Sequence, residues 1–128
     1  MKFLTKEDLL NREVKVSKVV FENDEFVYVK EMSGRDRSIL EMSMMKFKEG
    51  ENLASVTSEK DITMDTTNLK AKYACMCLCD EKGNLLFTIK DADKFGAAIS
   101  STELDLIVDE ADKLNAFMNK GKEDLVKN

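Results

Sequence analysis

Three cysteines at alternate positions, Cys75, Cys77 and Cys79, are the residues whose type and spacing most suggest chemistry. Three thiolates held close together can bind a soft metal such as Cu(I) or Zn²⁺. A tetrahedral zinc site needs a fourth ligand, and the chain has neither a histidine nor a fourth cysteine. On a helix, Cys77 would also point away from the side that the other two share. Because free cysteine is among the most buried residue types, three core side chains are the favoured interpretation.

A cysteine nucleophile is the second chemical possibility for the same cluster. It needs a neighbouring base, and in a chain without histidine that role falls to Lys72 or Asp80, at a spacing that matches no motif. Paired carboxylates also occur along the chain, and such pairs are more often solvated surface groups than acid–base machinery. They are Asp61 with Asp65 and Asp105 with Asp109. The sequence therefore predicts a non-enzymatic protein with no catalytic residue, metal site or cofactor.

The overall composition indicates one small domain that binds protein. A chain of 128 residues can bury a core without cross-links. With 43% hydrophobic and 35% charged residues, it is too apolar for a disordered chain and too charged for a membrane span. The net charge of −5 argues against phosphate binding, so neither nucleic acid nor a membrane is an expected partner. No export signal is visible at the N-terminus, and the expected location is the cytoplasm.

Cap and turn signals predict a short helix and then a hairpin at the start of the chain. Thr5 and Asp8 have the spacing of a capping box, which opens a helix. Residues 14–21 and 26–30 are rich in Val, Phe and Tyr, and the polar residues 22–25 separate the two runs. This arrangement is typical of a β-hairpin. Because two strands alone are marginal in water, the hairpin is expected to pack against helices.

A second helix is predicted to begin after Ser33, with Asp36 three positions on as its start signal, and to run to about Lys46. Arg37 and Glu41 are then one turn apart and form a surface pair. The apolar positions of this segment are Ile39, Leu40, Met42, Met44, Met45 and Phe47. Because they cover more than one face, much of the helix is expected to be buried.

The residue pattern in the middle of the chain predicts a long loop followed by a buried segment. Residues 48–67 are polar and aperiodic, which is typical of a mobile loop that orders on binding. Residues 69–79 are apolar on all sides, which predicts a central buried helix. The alternation of Tyr73 with the three cysteines suits a strand equally well, and periodicity alone leaves both open. Gly83 with Asn84 then supplies a turn.

Two more helices are predicted in the last third of the chain. Thr88 with Asp91 forms a capping box before a helix that Gly96 is expected to end. Ser100 with Glu103 begins the clearest helix of the chain. Its apolar stripe is Leu104, Ile107, Val108, Ala111, Leu114 and Met118. Its predicted water-facing residues are Asp105, Asp109, Asp112 and Lys113.

Together these elements predict the α+β class. Residues 1–128 are expected to form one small domain, mostly helical, with the N-terminal β-hairpin packed on a helical bundle. The charged residues 119–128 are expected to fray at the C-terminus.

Methionine supplies a signal for binding, because eight of the 128 residues are methionine. Four of them, Met32, Met42, Met44 and Met45, fall around the second predicted helix. Flexible thioethers repack around varied apolar surfaces, although a core role is the common alternative. The predicted partner-binding residues are Met42, Met44, Met45 and Phe47.

The order of these elements resembles the tail assembly chaperone family of long-tailed (siphovirus-type) bacteriophages and prophages. The segments that carry the resemblance are Met1 to Leu10, Gly34 to Arg37, Asp80 to Phe87, Ala111 to Asn115 and Glu123 to Asn128. They extend over nearly the whole chain, and each is a helix start, a turn or a helix end.

The resemblance implies a small non-enzymatic protein of virion assembly. Such a protein binds the tape-measure protein and keeps its long apolar helices soluble while the tail tube polymerises, and it is absent from the mature virion. The major tail protein and further copies of the chain are additional partners to expect. Two other hypotheses stay open from the residues themselves: a small cytoplasmic regulator or inhibitor of one globular protein, and a thiol-dependent enzyme or metal carrier built on the cysteines.

Overall fold

Five α-helices and five short strands make up the part of the chain that the computed structural model describes, residues 1–47 and 62–118. In chain order they are α1 (Lys6–Leu10), β1 (Val16–Val20), β2 (Phe26–Lys30), α2 (Gly34–Ser43), β3 (Met45–Phe47), β4 (Ile62–Met64), α3 (Leu69–Cys77), β5 (Leu78–Cys79), α4 (Ala92–Ala98) and α5 (Ser101–Asn115). The predicted α+β class, with a hairpin packed on helices, is confirmed. Most of the predicted loop and the whole predicted frayed end, residues 48–61 and 119–128, lie outside the described residues.

The N-terminal hairpin is part of an antiparallel sheet with the strand order β1-β2-β5. Val19 lies opposite Val27, and Val29 lies opposite Leu78 of β5. Val19 and Val29 are buried against the helices, whereas Val20 and Phe26 on the other face are exposed. The sheet therefore has one face in the core and one face in water, as is common for small antiparallel sheets.

Helix α3 is the centre of the core. It packs against α5, α4, α2 and β2, and Tyr73 and Cys75 on different sides of it have no exposed surface. The predicted central helix is confirmed as far as Cys77. The strand alternative is correct only for Leu78–Cys79, because there the backbone pairs with β2. A helix that is apolar on all sides is stable here because neighbours cover every side.

The predicted local start signals are confirmed at every helix that carries one. The Oγ atoms of Thr5, Ser33 and Ser100 accept from the backbone N–H three residues on, at 3.2, 3.1 and 3.1 Å. The capping box of Thr88 with Asp91 opens a 3₁₀ turn that continues into α4. Such caps depend on residues within one turn of each other, so sequence spacing is sufficient to predict them.

The turn before the short extended segment is confirmed as well. The Asp80 carboxylate accepts from the backbone N–H groups of Lys82 and Asn84 at 2.8 and 2.9 Å. These hydrogen bonds, those from Asn84 first, lower the pKa of Asp80. Gly83 has a φ of +89° and lies against Val14, so a side chain at this position would be strained.

The predicted end of α2 was wrong. The helix stops at Ser43, and Met45–Phe47 forms a strand with Ile62–Met64, which belongs to the segment predicted as a loop. The burial predicted for α2 was also wrong, because Leu40 is its buried residue while Ile39 and Met42 are 40% and 44% exposed. A distant strand partner overrides the helical spacing of the apolar residues here.

Gly96 was predicted to end α4, and it lies inside that helix instead. A Cβ atom at this position would lie 2.8 Å from Oδ1 of Asn68 and 3.0 Å from Cβ of Ala71. Asn68 in turn donates to the carbonyl of Ala92 at 3.1 Å. The glycine therefore permits close packing of α4 on the start of α3, and the helix continues past it to Ala98.

Candidate protein-binding surfaces

The three cysteines are distributed over two elements and all are buried. Cys75 and Cys77 lie on α3 and Cys79 lies on β5, and each has a free thiol. Burial raises the pKa of Cys75 to about 11 and the pKa of Cys77 to about 12, and it also raises the pKa of Cys79. Because a thiolate is the form that attacks or binds a metal, protonated buried thiols favour the core interpretation. Within residues 1–47 and 62–118, no three His, Cys, Asp or Glu side chains are grouped as metal ligands would be.

We expect the thiols of Cys75 and Cys77 in the native protein to react with Ellman's reagent at pH 8 at least about a hundredfold more slowly than in the unfolded chain, and that of Cys79 also more slowly. The thiolate fraction falls about a hundredfold when the pKa rises from its ordinary 9.0 to about 11, as for Cys75, and burial limits access further. The same sample in guanidinium chloride is the control. Native thiols that react at the rate of free cysteine would support the thiol-based hypothesis instead.

A buried polar network joins the end of α5 to α3 and includes Asp112, which was predicted to face water. That prediction was wrong: Asp112 is 5% exposed. Its Oδ1 accepts from the hydroxyl of Tyr73 at 2.6 Å and from the backbone N–H groups of Phe117 and Met118 at 2.9 Å each. The sequence contained a signal for this burial: Asp112 follows the apolar Val108 by four residues and so lies on the same face of α5.

Asn115 extends this network to the hairpin. Its side chain accepts from the backbone N–H of Met32 at 2.8 Å and donates to the carbonyl of Lys30 at 3.2 Å. Arg37 of α2 donates to the carbonyl of Asn115 at 3.1 Å and lies over the ring of Phe117. These contacts hold α2, α3, α5 and the hairpin in one arrangement. We infer that this network stabilises the fold, since its polar groups satisfy one another's hydrogen bonds.

Four methionines lie at or near the end of α2. Met42, Met44 and Met45 are near neighbours in sequence, and strand pairing adds Met64. We name these four residues the methionine surface. Met64 lies opposite Met45 in the β3–β4 pair, so their side chains share one face. Met42 is 44% exposed and Met64 is 58% exposed. Met44 and Met45 are half-buried, and the N–H of Asp65 donates to the carbonyl of Met44.

The predicted partner-binding residues lie in different elements of the structure. Met42, Met44 and Met45 belong to the methionine surface. Phe47 is the last residue of β3, and its side chain lies outside what the structure describes. Met32, which the sequence grouped with them, is buried in the core. Met64 was missed, because it lies in a segment that the sequence predicted to be loop.

Among the described residues, the charged groups near the methionine surface include Lys72 and the pair of Arg37 with Glu41. Lys72 of α3 extends its Nζ to the carbonyl of Ser43 at 3.5 Å, at the C-terminal end of α2, where the helix dipole favours a cation. Arg37 and Glu41 form their predicted pair at 3.9 Å one turn earlier on α2. A surface of flexible thioethers with charges at its edge is suited to bind an apolar helix.

The helices of the described residues are too short or too polar to cross a membrane. The longest of them, α5, has 15 residues, whereas a transmembrane helix needs about 20. No protein-family model matches the chain, and comparisons with curated proteins and with solved structures likewise found no match.

Proposed function

We propose that the protein is a non-enzymatic phage tail assembly chaperone. In this proposal it binds the tape-measure protein in the host cytoplasm and keeps the client's apolar helices soluble until tail-tube subunits surround them. The major tail protein is the further partner that the proposal includes. The observation that carries the proposal is the methionine surface, because partly exposed thioethers are suited to contact apolar helices of varied sequence.

The geometry of the methionine surface supports a reversible mode of binding. Met42 and Met64 already have about half of their surface in water, so a client helix would cover apolar area that is available without unfolding the domain. Each buried methylene contributes only about 0.8 kcal/mol. A few methionine contacts thus hold an apolar stripe of the client and still release it when the tube protein competes for it.

The buried thiols and the Asp112 network support a proposal of binding without turnover. The three thiols are buried and protonated, and the Asp112 carboxylate accepts from Tyr73 and from the backbone. We infer that the chain acts through its surface and that the cysteines serve as small core side chains. A triple replacement of the cysteines by alanine is therefore compatible with client binding, at some loss of stability.

The Met42→Ser/Met64→Ser double variant is expected to bind a soluble fragment of the tape-measure protein at least about tenfold more weakly than the wild type. Both side chains are exposed, so the substitutions remove apolar contact area without opening the core. The affinity is measured by titration calorimetry or by fluorescence anisotropy of a labelled fragment.

Leu106→Ser is the matched control for this variant. Leu106 lies on α5 and is exposed to the same fraction, 44%, as Met42, so its loss removes an apolar area similar to the one lost at Met42. Wild-type affinity in the control and weak binding in the double variant would locate the client on the methionine surface. Equal affinities in all three proteins would place the binding surface elsewhere.

A further inference from the structure

Helix α1 is a short preformed helix that the other described residues leave uncovered. The capping box of Thr5 closes the N-terminus of α1, and no residue of α1 is buried. Leu9 and Leu10 are 60% and 73% exposed, and Phe3 before the helix is 96% exposed. Isolated helices shorter than about 12 residues are marginal in water. A five-residue helix whose two leucines and the preceding Phe3 lie in solvent is therefore typical of a segment that folds against another surface.

We name residues 1–13 the N-terminal arm. Where the arm ends, Val14 packs against the turn of the body: a Cβ atom at Gly83 would lie 3.0 Å from Cγ1 of Val14. This contact fixes the base of the arm beside the turn at residues 80–84. The base of the arm is therefore held at the surface of the domain.

An apolar groove of about 440 Å³ lies on a different part of the chain, along α4. Phe87, Asp91, Lys94, Phe95 and Ala98 line it. The ring centroids of Phe87 and Phe95 are 5.0 Å apart, and both rings line the groove. Its volume accommodates more than one leucine-sized side chain. No residue of the arm lines this groove in its own chain, so within the described residues both surfaces are uncovered.

The charges on the arm and on the groove are complementary. Lys6 lies one turn before Leu9 and Leu10 and so shares their face of α1, and Glu7 lies one turn before Leu10. The groove carries Asp91 and Lys94, also one turn apart. When the leucines enter the groove, Lys6 can approach Asp91 and Glu7 can approach Lys94. One acidic and one basic side chain on each part give a matched pair of contacts.

From these observations we propose that the N-terminal arm of one chain occupies the α4 groove of a second copy, and that the exchange is reciprocal in a symmetric dimer. One sequence supplies both halves of the contact, which is what a two-fold interface requires. The proposal is independent of the client-binding proposal, because it uses the arm and α4 and leaves the methionine surface open.

Sedimentation equilibrium of the full chain tests this proposal with three variants. Leu9→Ser/Leu10→Ser removes the apolar face of the arm, and Ala98→Arg fills the groove from an exposed position. Ala97→Arg is the control, because Ala97 is exposed on the same helix and does not line the groove. We expect the wild type and the control to dimerise equally, and each of the other two variants to dimerise at least about tenfold more weakly.

A mixture of the two defective variants gives the decisive measurement. The arm variant keeps its groove and the groove variant keeps its arm, so one productive contact remains and the mixture is expected to form a heterodimer. A wild type that stays monomeric up to high micromolar concentration would overturn the proposal. Dimerisation of Ala98→Arg at wild-type strength, or no association in the mixture, would overturn it as well, since the arm would then bind elsewhere or fold back on its own chain.

Discussion

Asp112→Ala is expected to lower the free energy of unfolding by about 3 kcal/mol. The substitution leaves the hydroxyl of Tyr73 and the backbone N–H groups of Phe117 and Met118 without the acceptor that they share. The hydroxyl of Tyr73 is buried and the two backbone N–H groups are partly buried, and each donor left without an acceptor costs about 1 kcal/mol. Urea unfolding followed by circular dichroism measures the loss, and the midpoint of thermal unfolding should fall by about 10 °C.

Asp109→Ala is the matched control for this prediction. Asp109 is the same residue type on the same helix, and it is exposed. Its replacement is expected to change the free energy of unfolding by less than about 0.5 kcal/mol. If Asp112→Ala lost no more free energy of unfolding than Asp109→Ala, the buried network would not stabilise the fold.

Leu40→Ala is expected to destabilise the protein by about 3 kcal/mol, within the range for buried leucines that leave a cavity. Leu40 has no exposed surface and is the residue through which α2 enters the core. Because α2 leads directly into Met44 and β3, loosening this anchor should also weaken client binding beyond what the overall stability loss predicts. Chemical unfolding and the client titration measure the two effects on one variant.

Ile39→Ala controls for the loss of a large aliphatic side chain at a neighbouring position of α2. Ile39 is 40% exposed, so its truncation leaves no closed cavity and is expected to cost less than about 1 kcal/mol. If the two variants lost equal stability, α2 would have to bury a different face from the one described here.

The elements that sequence reasoning predicted well are those whose signals are local. Thr5 with Asp8, Ser33 with Asp36 and Ser100 with Glu103 each bring a cap and its backbone donor within one turn, so neighbouring residues contain the whole interaction. The hairpin is similar, since β1 and β2 are separated by a short polar tip. Such features require no knowledge of how distant parts of the chain meet.

The features that sequence reasoning missed depend on residues that are distant in the chain. The end of α2 at Ser43 follows from the pairing of Met45 with Met64, which belongs to a strand beyond residues 48–61. Gly96 continues its helix because Asn68 and Ala71 lie against it. No pattern in the immediate sequence contains these contacts, and propensity gives way to tertiary packing at both places.

The candidate site could be predicted from the sequence only in part. The methionine content pointed to Met42, Met44 and Met45, but the fourth member, Met64, appears only once β3 and β4 pair. Asp112 was placed in water because aspartate on a helix is usually solvated. Its hydroxyl partner is Tyr73, 39 residues earlier, and a single helix pattern does not reveal that partner.

Co-expression with a tape-measure protein, the client of the proposal, tests whether this chain keeps apolar helices soluble. The measured quantity is the soluble fraction of that protein, with the wild type, with Met42→Ser/Met64→Ser and with Leu106→Ser. We expect the wild type and Leu106→Ser to raise the soluble fraction and to co-purify with the client, and the double methionine variant to do neither. A client that is equally insoluble with and without the wild-type protein would contradict the claim and favour a regulator of another, globular protein.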